Sequence, residues 1–297
     1  MVARIRRVVT FGALLVLLAA VVPSAGRTDA ELVLLKMRHA EAIDHPDGIV
    51  WMLALGSDAR PGDSIPRSRA DSIHLVGVNT RTGHSAIIGL PRDSYVSIPG
   101  QGSNKINASM VYGGPQLTAR TVERLTGIRL DYVFLTDFSG LAGMIYKLGG
   151  IDLRITQPVS GLGHRFERGM RHLNGSEALG FSRIRYGLPG GDFDRSRNQG
   201  RVLVAALKKA RSIADQPGRL EGMMLAAITR LDTNASPAEV YRLGRSLLSV
   251  EPSKVRNCVV PGGTGYAGEA SVVFLNRSAL HRMVRDARPD GRLNRGC

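Results

Sequence analysis

The chain has 297 residues, 43% of them hydrophobic, 5% aromatic and 22% charged, with a formal net charge of +15. This is an ordinary globular composition with ample material for a core, in one large domain or two small ones. The positive balance favours a polyanionic partner, and the scarcity of aromatic rings argues against the stacking platforms that hold single-stranded nucleic acid.

Arg4, Arg6 and Arg7 precede the apolar run VVTFGALLVLLAAVV, which ends at Pro23. A basic flank followed by an apolar segment is a membrane signal with its short end in the cytoplasm. Residues 1–7 are therefore expected as a cytoplasmic end, 8–23 as a signal-anchor and 24–48 as a juxtamembrane spacer with a short helix around 30–42. Cleavage after Gly26 is the alternative, with Ser24 and Gly26 as the small residues. Either way the rest of the chain, still +12 without those three arginines, lies outside the cytoplasm and away from its DNA.

The folded domain is expected over 49–297. IVWMLALG is a continuous apolar run of the buried-strand kind. SIHLVGVNT and HSAIIGL form a hairpin through the turn TRTG. A helical period over 113–127 stops at Gly127. DYVFLTD reads as a strand, FSGLAGMIYKLGG as a helix and IDLRIT as a strand. SEALGFSRIR is a short helix with a Ser or Asn cap, and GRVLVAALKKARSIA an amphipathic helix. Two strands and a helix over 278–286 close the chain. Strands and helices alternate without internal repeats, so the fold class is α/β around a central mixed sheet.

The densest charge lies in residues 182–199, SRIRYGLPGGDFDRSRNQ. Guanidinium groups are planar forks that grip phosphate oxygens in pairs, and gathering Arg183, Arg185, Arg195 and Arg197 is costly unless an anion fills them. Arg195 and Gln199 are four apart and would share a helical face, whereas Arg183 and Arg185 can face one site only if their helix ends between them. Arg92 and Asp93 follow a strand. Arg92 is placed to stabilise charge on a phosphoryl group, and Asp93 to orient or deprotonate an attacking hydroxyl. Asp58 and Asp71 bracket a loop between two strands. The residues alone leave them open between loop caps and ligands of Mg²⁺ (or Mn²⁺), which binds hard oxygens while holding substrate phosphates. Arg69, two residues before Asp71 in an extended segment, would point to the same face. Lys105, Asn107, Tyr112 and Gly113-Gly114 are candidates for the same pocket. The seven histidines show no metal spacing. No GxSxG, P-loop or GxGxxG element occurs. Cys258 and Cys297 can close a disulfide outside the cytoplasm, although their spacing alone does not show that they meet.

In order along the chain, LALGSDAR, RADSIHLV, GLPRDSYVSIP, KINASMVYGG, TVERLTGI, DFSGLAGMIYKLGGIDL, HLNGSEALGFSRIR and GDFDRSRNQ resemble the LytR-CpsA-Psr proteins of bacterial cell-wall assembly, most of all actinobacterial members. The resemblance implies a three-layer α/β/α sandwich with a hydrophobic polyprenyl pocket, carried on an N-terminal membrane segment at the outer face of the cell membrane. It implies a phosphotransferase that takes a glycopolymer from a polyprenyl-diphosphate carrier and forms a phosphodiester to a muramic acid hydroxyl of peptidoglycan. It assigns Asp58 and Asp71 to the metal, Arg69, Arg92, Arg183, Arg185, Arg195 and Gln199 to the diphosphate, and Asp93 as candidate base. Two positions depart from the family pattern. Asn198 stands where Arg is common, with Arg197 a possible substitute, and Ala70 stands within the usual Arg-Ser-Asp. Hydrolysis of the lipid diphosphate and non-catalytic clamping of an anionic polymer or lipid headgroup are the competing readings. Nucleic acid is not among the expected partners.

Overall fold

The computed structural model describes residues 32–40, 48–60, 62–214, 216, 221–222 and 231–297. The expected cytoplasmic end and signal-anchor lie outside the described residues, among which no helix is long and apolar enough to cross a membrane. In chain order the strands begin with β1 (Leu32–Lys36), β2 (Ile49–Ser57), β3 (Ala70–Asn79) and β4 (Ser85–Gly89). A small hairpin, β5 (Tyr95–Ile98) and β6 (Gly102–Lys105), leads into α1 (Ala108–Thr126). Then come β7 (Tyr132–Thr136), α2 (Phe138–Lys147), the short strands β8 (Ile151–Ile155), β9 (Val159–Gly161), β10 (His164–Phe166) and β11 (Gly169–Leu173), and helices α3 (Gly175–Arg183) and α4 (Asp192–Ala214). The last third holds β12 (Leu231–Thr233), α5 (Pro237–Ser249), β13 (Val255–Val259), the hairpin β14 (Gly262–Ala267) and β15 (Ala270–Leu275), and α6 (Arg277–Ala287).

Seven strands form one mixed sheet in the order β12-β1-β7-β2-β3-β4-β13. Period-two alternation sends Trp51, Leu53 and Leu55 of β2 into a core with Met110, Leu117 and Val122 of α1 and Leu280 and Val284 of α6. Val50 and Met52 enter a separate core with Val240 and Leu243 of α5. β2 thus carries two apolar faces, and helices cover both. A third apolar cluster joins Ile145 of α2, Ala178 and Phe181 of α3 and Val202 of α4.

Leu32–Lys36 departs from expectation. It is neither spacer nor helix but a strand paired parallel to β12 and antiparallel to β7, so the sheet begins before Ile49. Four consecutive apolar residues cannot separate strand from helix by period, and the partners lie about a hundred residues or more away. The helical period at 113–127 extends back to Ala108 but breaks at Gly114, whose φ of 67° interrupts it just before Pro115. The tail carries three strands rather than two.

Cys258 of β13 and Cys297 form a disulfide across a separation of 39 residues. It fixes a tail whose Leu293 is buried in the main core. Closing a loop of that length restricts the unfolded chain. Replacing both cysteines with serine should lower the unfolding free energy by about 2–4 kcal/mol, measured by urea denaturation of the two proteins under non-reducing conditions.

Candidate functional site

β2 and β3 end together, and their pairing slips there. Gly56 faces Ser72 and Ser57 faces Ala70, which leaves Asp71 as the extra residue of a bulge. A bulge re-aims a side chain out of the regular alternation. Asp71 is turned inward and only 7% exposed, while Arg69 stays exposed and its backbone carbonyl accepts the Asp58 N–H at 3.0 Å. The shared face expected for Arg69 and Asp71 assumed an unbroken strand, and the bulge removes that premise.

Arg92 and Asp93 sit in a tight turn after β4. Pro91 C=O accepts Ser94 N–H at 3.0 Å, and Asn107 N–H donates to Arg92 C=O at 3.2 Å. From this turn the Arg92 guanidinium reaches the Asp71 carboxylate. Asp93 faces Lys105 Nζ at 3.2 Å and Arg92 Nε at 3.9 Å. Arg92 therefore spans the two acids. Lys105 joins the group, Asn107 holds its backbone, and the Tyr112 hydroxyl instead accepts from Asn104 Nδ2 at 2.8 Å.

α3 starts with an Asn174–Glu177 capping box and ends at Arg183, because Ile184 is extended. The two arginines are thus freed from helical spacing. Arg183 lies over the Phe138 ring at 4.0 Å. Arg185 donates to the Tyr186 hydroxyl at 2.5 Å and lies over its ring. α4 splits its own arginines between two faces. Arg195, 3% exposed, pairs with Asp192 and approaches Asp71 with Nη1 at 3.9 Å. One turn on, Gln199 Nε2 donates to Asp71 C=O at 3.2 Å. Arg197 turns away to Asp194. Asn198 is buried and accepts from Arg201 Nη1 at 3.0 Å. Asn198 is thus engaged by Arg201, and Arg197, paired with Asp194, does not substitute for an arginine there at the cluster.

α4 can lie this close to the sheet because of two glycines. A Cβ at Gly89 of β4 would stand 2.5 Å from Ser196 Oγ, and one at Gly200 would stand 2.1 Å from Asn257 Oδ1. Beneath them, fully buried His74 ties β3 to α4. Its Nε2–H donates to Ser196 C=O at 3.0 Å, so Nδ1 accepts from the Ser72 hydroxyl, also at 3.0 Å.

The cluster is strained by its own charge. Burial pulls the Arg92 guanidinium below its ordinary range, and repulsion from Arg195 adds to this. Burial acts the same way on Arg195, opposed by Asp192 and reinforced by Arg185. Burial also lowers Arg183, with Arg195 and Arg60 adding and Asp58 opposing. Arg92 Nε and Arg195 Nε are buried and make no hydrogen bond, and neither does Asp192 Oδ2. Buried donors without acceptors are rare and costly unless a ligand completes them.

An apolar cavity, open to solvent, adjoins the cluster. Asp71, Arg183 and Gln199 line its polar end, and Phe134, Phe138, Leu141, Met144, Leu179 and Leu203 line the rest. Sequence reasoning did not name these apolar residues and gave Asp192 no role. The signal for the former lies in α2, apolar around most of its circumference although only Gly140 and Ile145 are buried. For Asp192 it is the three-residue spacing to Arg195.

Among the described residues no group of three or more His, Cys, Asp or Glu is gathered to hold a metal. Mg²⁺ that shares its ligands with a substrate's phosphates needs only one or two carboxylates. Asp58 and Asp71, at the same end of the β2–β3 ladder, offer that chemistry, with the Asp71 carboxylate engaged by Arg92.

A model of the LytR_cpsA_psr family matches residues 25–288. The chain belongs to the LytR-CpsA-Psr family. It is 31% identical over 199 residues to the polyisoprenyl-teichoic acid–peptidoglycan teichoic acid transferase TagU of Bacillus cereus, a match covering 66% of this chain and 64% of TagU. The chain thus spans less than two thirds of that relative. It is 29% identical over 251 residues to the regulatory protein MsrR of Staphylococcus aureus, covering 81% of this chain and 74% of MsrR. The crystal structure of the family protein YwtF (TagT) of Bacillus subtilis with bound octaprenyl pyrophosphate shares the fold at a TM-score of 0.65 and 23% identity, over 86% of this chain and 98% of that one.

Burial pushes His74 down to about 4 from its ordinary 6.5, against its hydrogen bond to Ser196. Above pH 6.5 neither the folded nor the unfolded state protonates this ring. Below 6.5 the unfolded chain takes up the proton and the folded one does not, so stability falls as pH drops towards 4. The loss amounts to about 3 kcal/mol across that window. Chemical denaturation between pH 7 and 4.5 should show this slope in the unaltered chain and a shallower one in His74→Gln.

Proposed function

We propose that the chain is a phosphotransferase that moves a glycopolymer from a polyprenyl-diphosphate carrier onto a muramic acid hydroxyl of peptidoglycan. One observation carries this reading: buried donors of Arg92 and Arg195 that lack acceptors flank the Asp71 carboxylate, and Asp71 lines the polar end of an apolar cavity. That pairing suits an amphiphile with an anionic head and a hydrocarbon tail, and a polyprenyl diphosphate is such a molecule. The teichoic acid transfer in the name of TagU and the octaprenyl pyrophosphate in TagT support it.

Arg92, Arg183, Arg185 and Arg195 neutralise the diphosphate, with Gln199 and Arg69 at its margin. Asp93 accepts the proton of the acceptor hydroxyl as that oxygen attacks the sugar-proximal phosphorus. The bond from that phosphorus to the bridging oxygen breaks, and the lipid monophosphate leaves. Phosphoryl transfer depends mainly on such positioning and charge stabilisation. Asp58 and Asp71 would hold Mg²⁺, or Mn²⁺, which supplies further charge neutralisation at the phosphates when bound. The domain is read as a three-layer α/β/α sandwich held by residues 8–23 at the outer face of the cell membrane. The Cys258–Cys297 disulfide supports an oxidising compartment.

The test uses the full chain in detergent with Mg²⁺, peptidoglycan fragments and a polyprenyl-diphosphate saccharide labelled in the sugar. Label should pass to the glycan, chelation should stop it, and Arg92→Ala should slow it about 10²–10³-fold, the range found when one charge-stabilising donor is removed. Label released as free phosphorylated saccharide would mean hydrolysis. Lipid bound without turnover in the unaltered chain would mean a clamp.

A further inference from the structure

Near Asp93, outside the lining of the lipid cavity, lies an aromatic pair that the reaction does not use. Tyr95 of β5 stands directly opposite Lys105 of β6, and opposed residues of an antiparallel pair share a face. Lys105 reaches the Asp93 carboxylate from that face at 3.2 Å. The hairpin of β14 and β15 joins here. Val273 N–H donates to Asp93 C=O at 2.9 Å, and Ser94 bridges to Val273. The next residue, Phe274, meets the Tyr95 ring edge to face, with centroids 6.0 Å apart.

Phe274 is 46% exposed, so part of its ring is open to a ligand. Its strand partner contributes no side chain beside it. Gly263 lies opposite Phe274 in register, and a Cβ there would meet nothing within 4 Å. The ring rests over Gly265, where a Cβ would stand 2.9 Å from it. The result is a shelf with a glycine floor, an aromatic wall and one cation, continuous with Asp93.

We infer that this shelf, built by Tyr95, Phe274 and Lys105, is the subsite for the glycan acceptor and seats one sugar ring beside Asp93. The inference rests on the transferase reading, because it makes Asp93 the group that receives the acceptor proton. An aromatic face is electron-rich and attracts the polarised C–H groups on the apolar face of a pyranose. A small number of polar groups beside such a face fixes orientation, and Lys105 is placed to do so. Donor and acceptor then meet from opposite sides of Arg92, which touches Asp71 at the cavity and Asp93 at the shelf. Tyr95 and Phe274 are positioning residues and take no part in the chemistry.

The experiment titrates the full chain in detergent with two separate probes: the β-1,4-linked hexamer of N-acetylglucosamine for the shelf and octaprenyl diphosphate for the cavity. Phe274→Ala should raise the Kd for the hexamer at least tenfold and leave that for octaprenyl diphosphate unchanged. Phe274→Trp should restore hexamer binding, which separates a lost contact from a damaged fold. Arg92→Ala should give the converse pattern. Equal hexamer affinity in the unaltered chain and in Phe274→Ala, or no hexamer binding by the unaltered chain, would overturn the inference. Failure of octaprenyl diphosphate to bind the unaltered chain would instead overturn the transferase reading.

Discussion

The geometry of the site depends on one buried contact, the approach of Arg92 and Arg195 to the Asp71 carboxylate. Each partner comes from a different element, and each is delivered by a local backbone device. A bulge aims Asp71 inward, a tight turn after β4 projects Arg92, and α4 brings Arg195 and Gln199 across the end of β3. The helix reaches that position because His74 binds the Ser196 carbonyl and because Gly89 and Gly200 leave room for it. A buried acid between two arginines offsets part of their repulsion and leaves donors over. Those remaining donors would be open to a further anion.

Phosphate-gripping chemistry and hydrocarbon-binding chemistry share a border here. The Arg183 guanidinium lies on the Phe138 ring, and both residues line the cavity. A cation over an aromatic face remains charged and yet packs against apolar surface. The junction between a diphosphate and its lipid tail presents the same change from charge to hydrocarbon over a few ångströms. A free sugar phosphate would use the arginines and leave the apolar lining in water. A neutral lipid would fill the cavity and leave the arginines repelling one another.

Much of this was legible in the chain itself. The apolar runs of β2, β3 and β4 and the turn between the last two gave the centre of the sheet. The condition that the helix end between Arg183 and Arg185 is met by its stop at Arg183. Four-residue spacing placed Arg195 and Gln199 on one helical face, and the structure keeps them there. Features set by long-range pairing were not legible. Leu32–Lys36 becomes a strand only because β7 and β12 flank it, and nothing within five residues records that. The bulge at Asp71 depends on register between two strands, so the alternation argument for Arg69 failed where the backbone ceased to alternate. The division of labour within residues 192–199 was half visible. Helical spacing separates Arg195 from Arg197, but only the packing of α4 decides which of them faces the sheet.

The central claim is that the arginine cluster and the apolar cavity form one binding site for a prenyl diphosphate. A crystal structure of the chain with geranylgeranyl diphosphate tests this most directly. The account predicts phosphate oxygens within hydrogen-bond reach of Arg92 Nε and Arg195 Nε, with the hydrocarbon lying between Phe134 and Leu203. A diphosphate bound elsewhere on the basic surface, with the cavity empty of the prenyl chain, would contradict it.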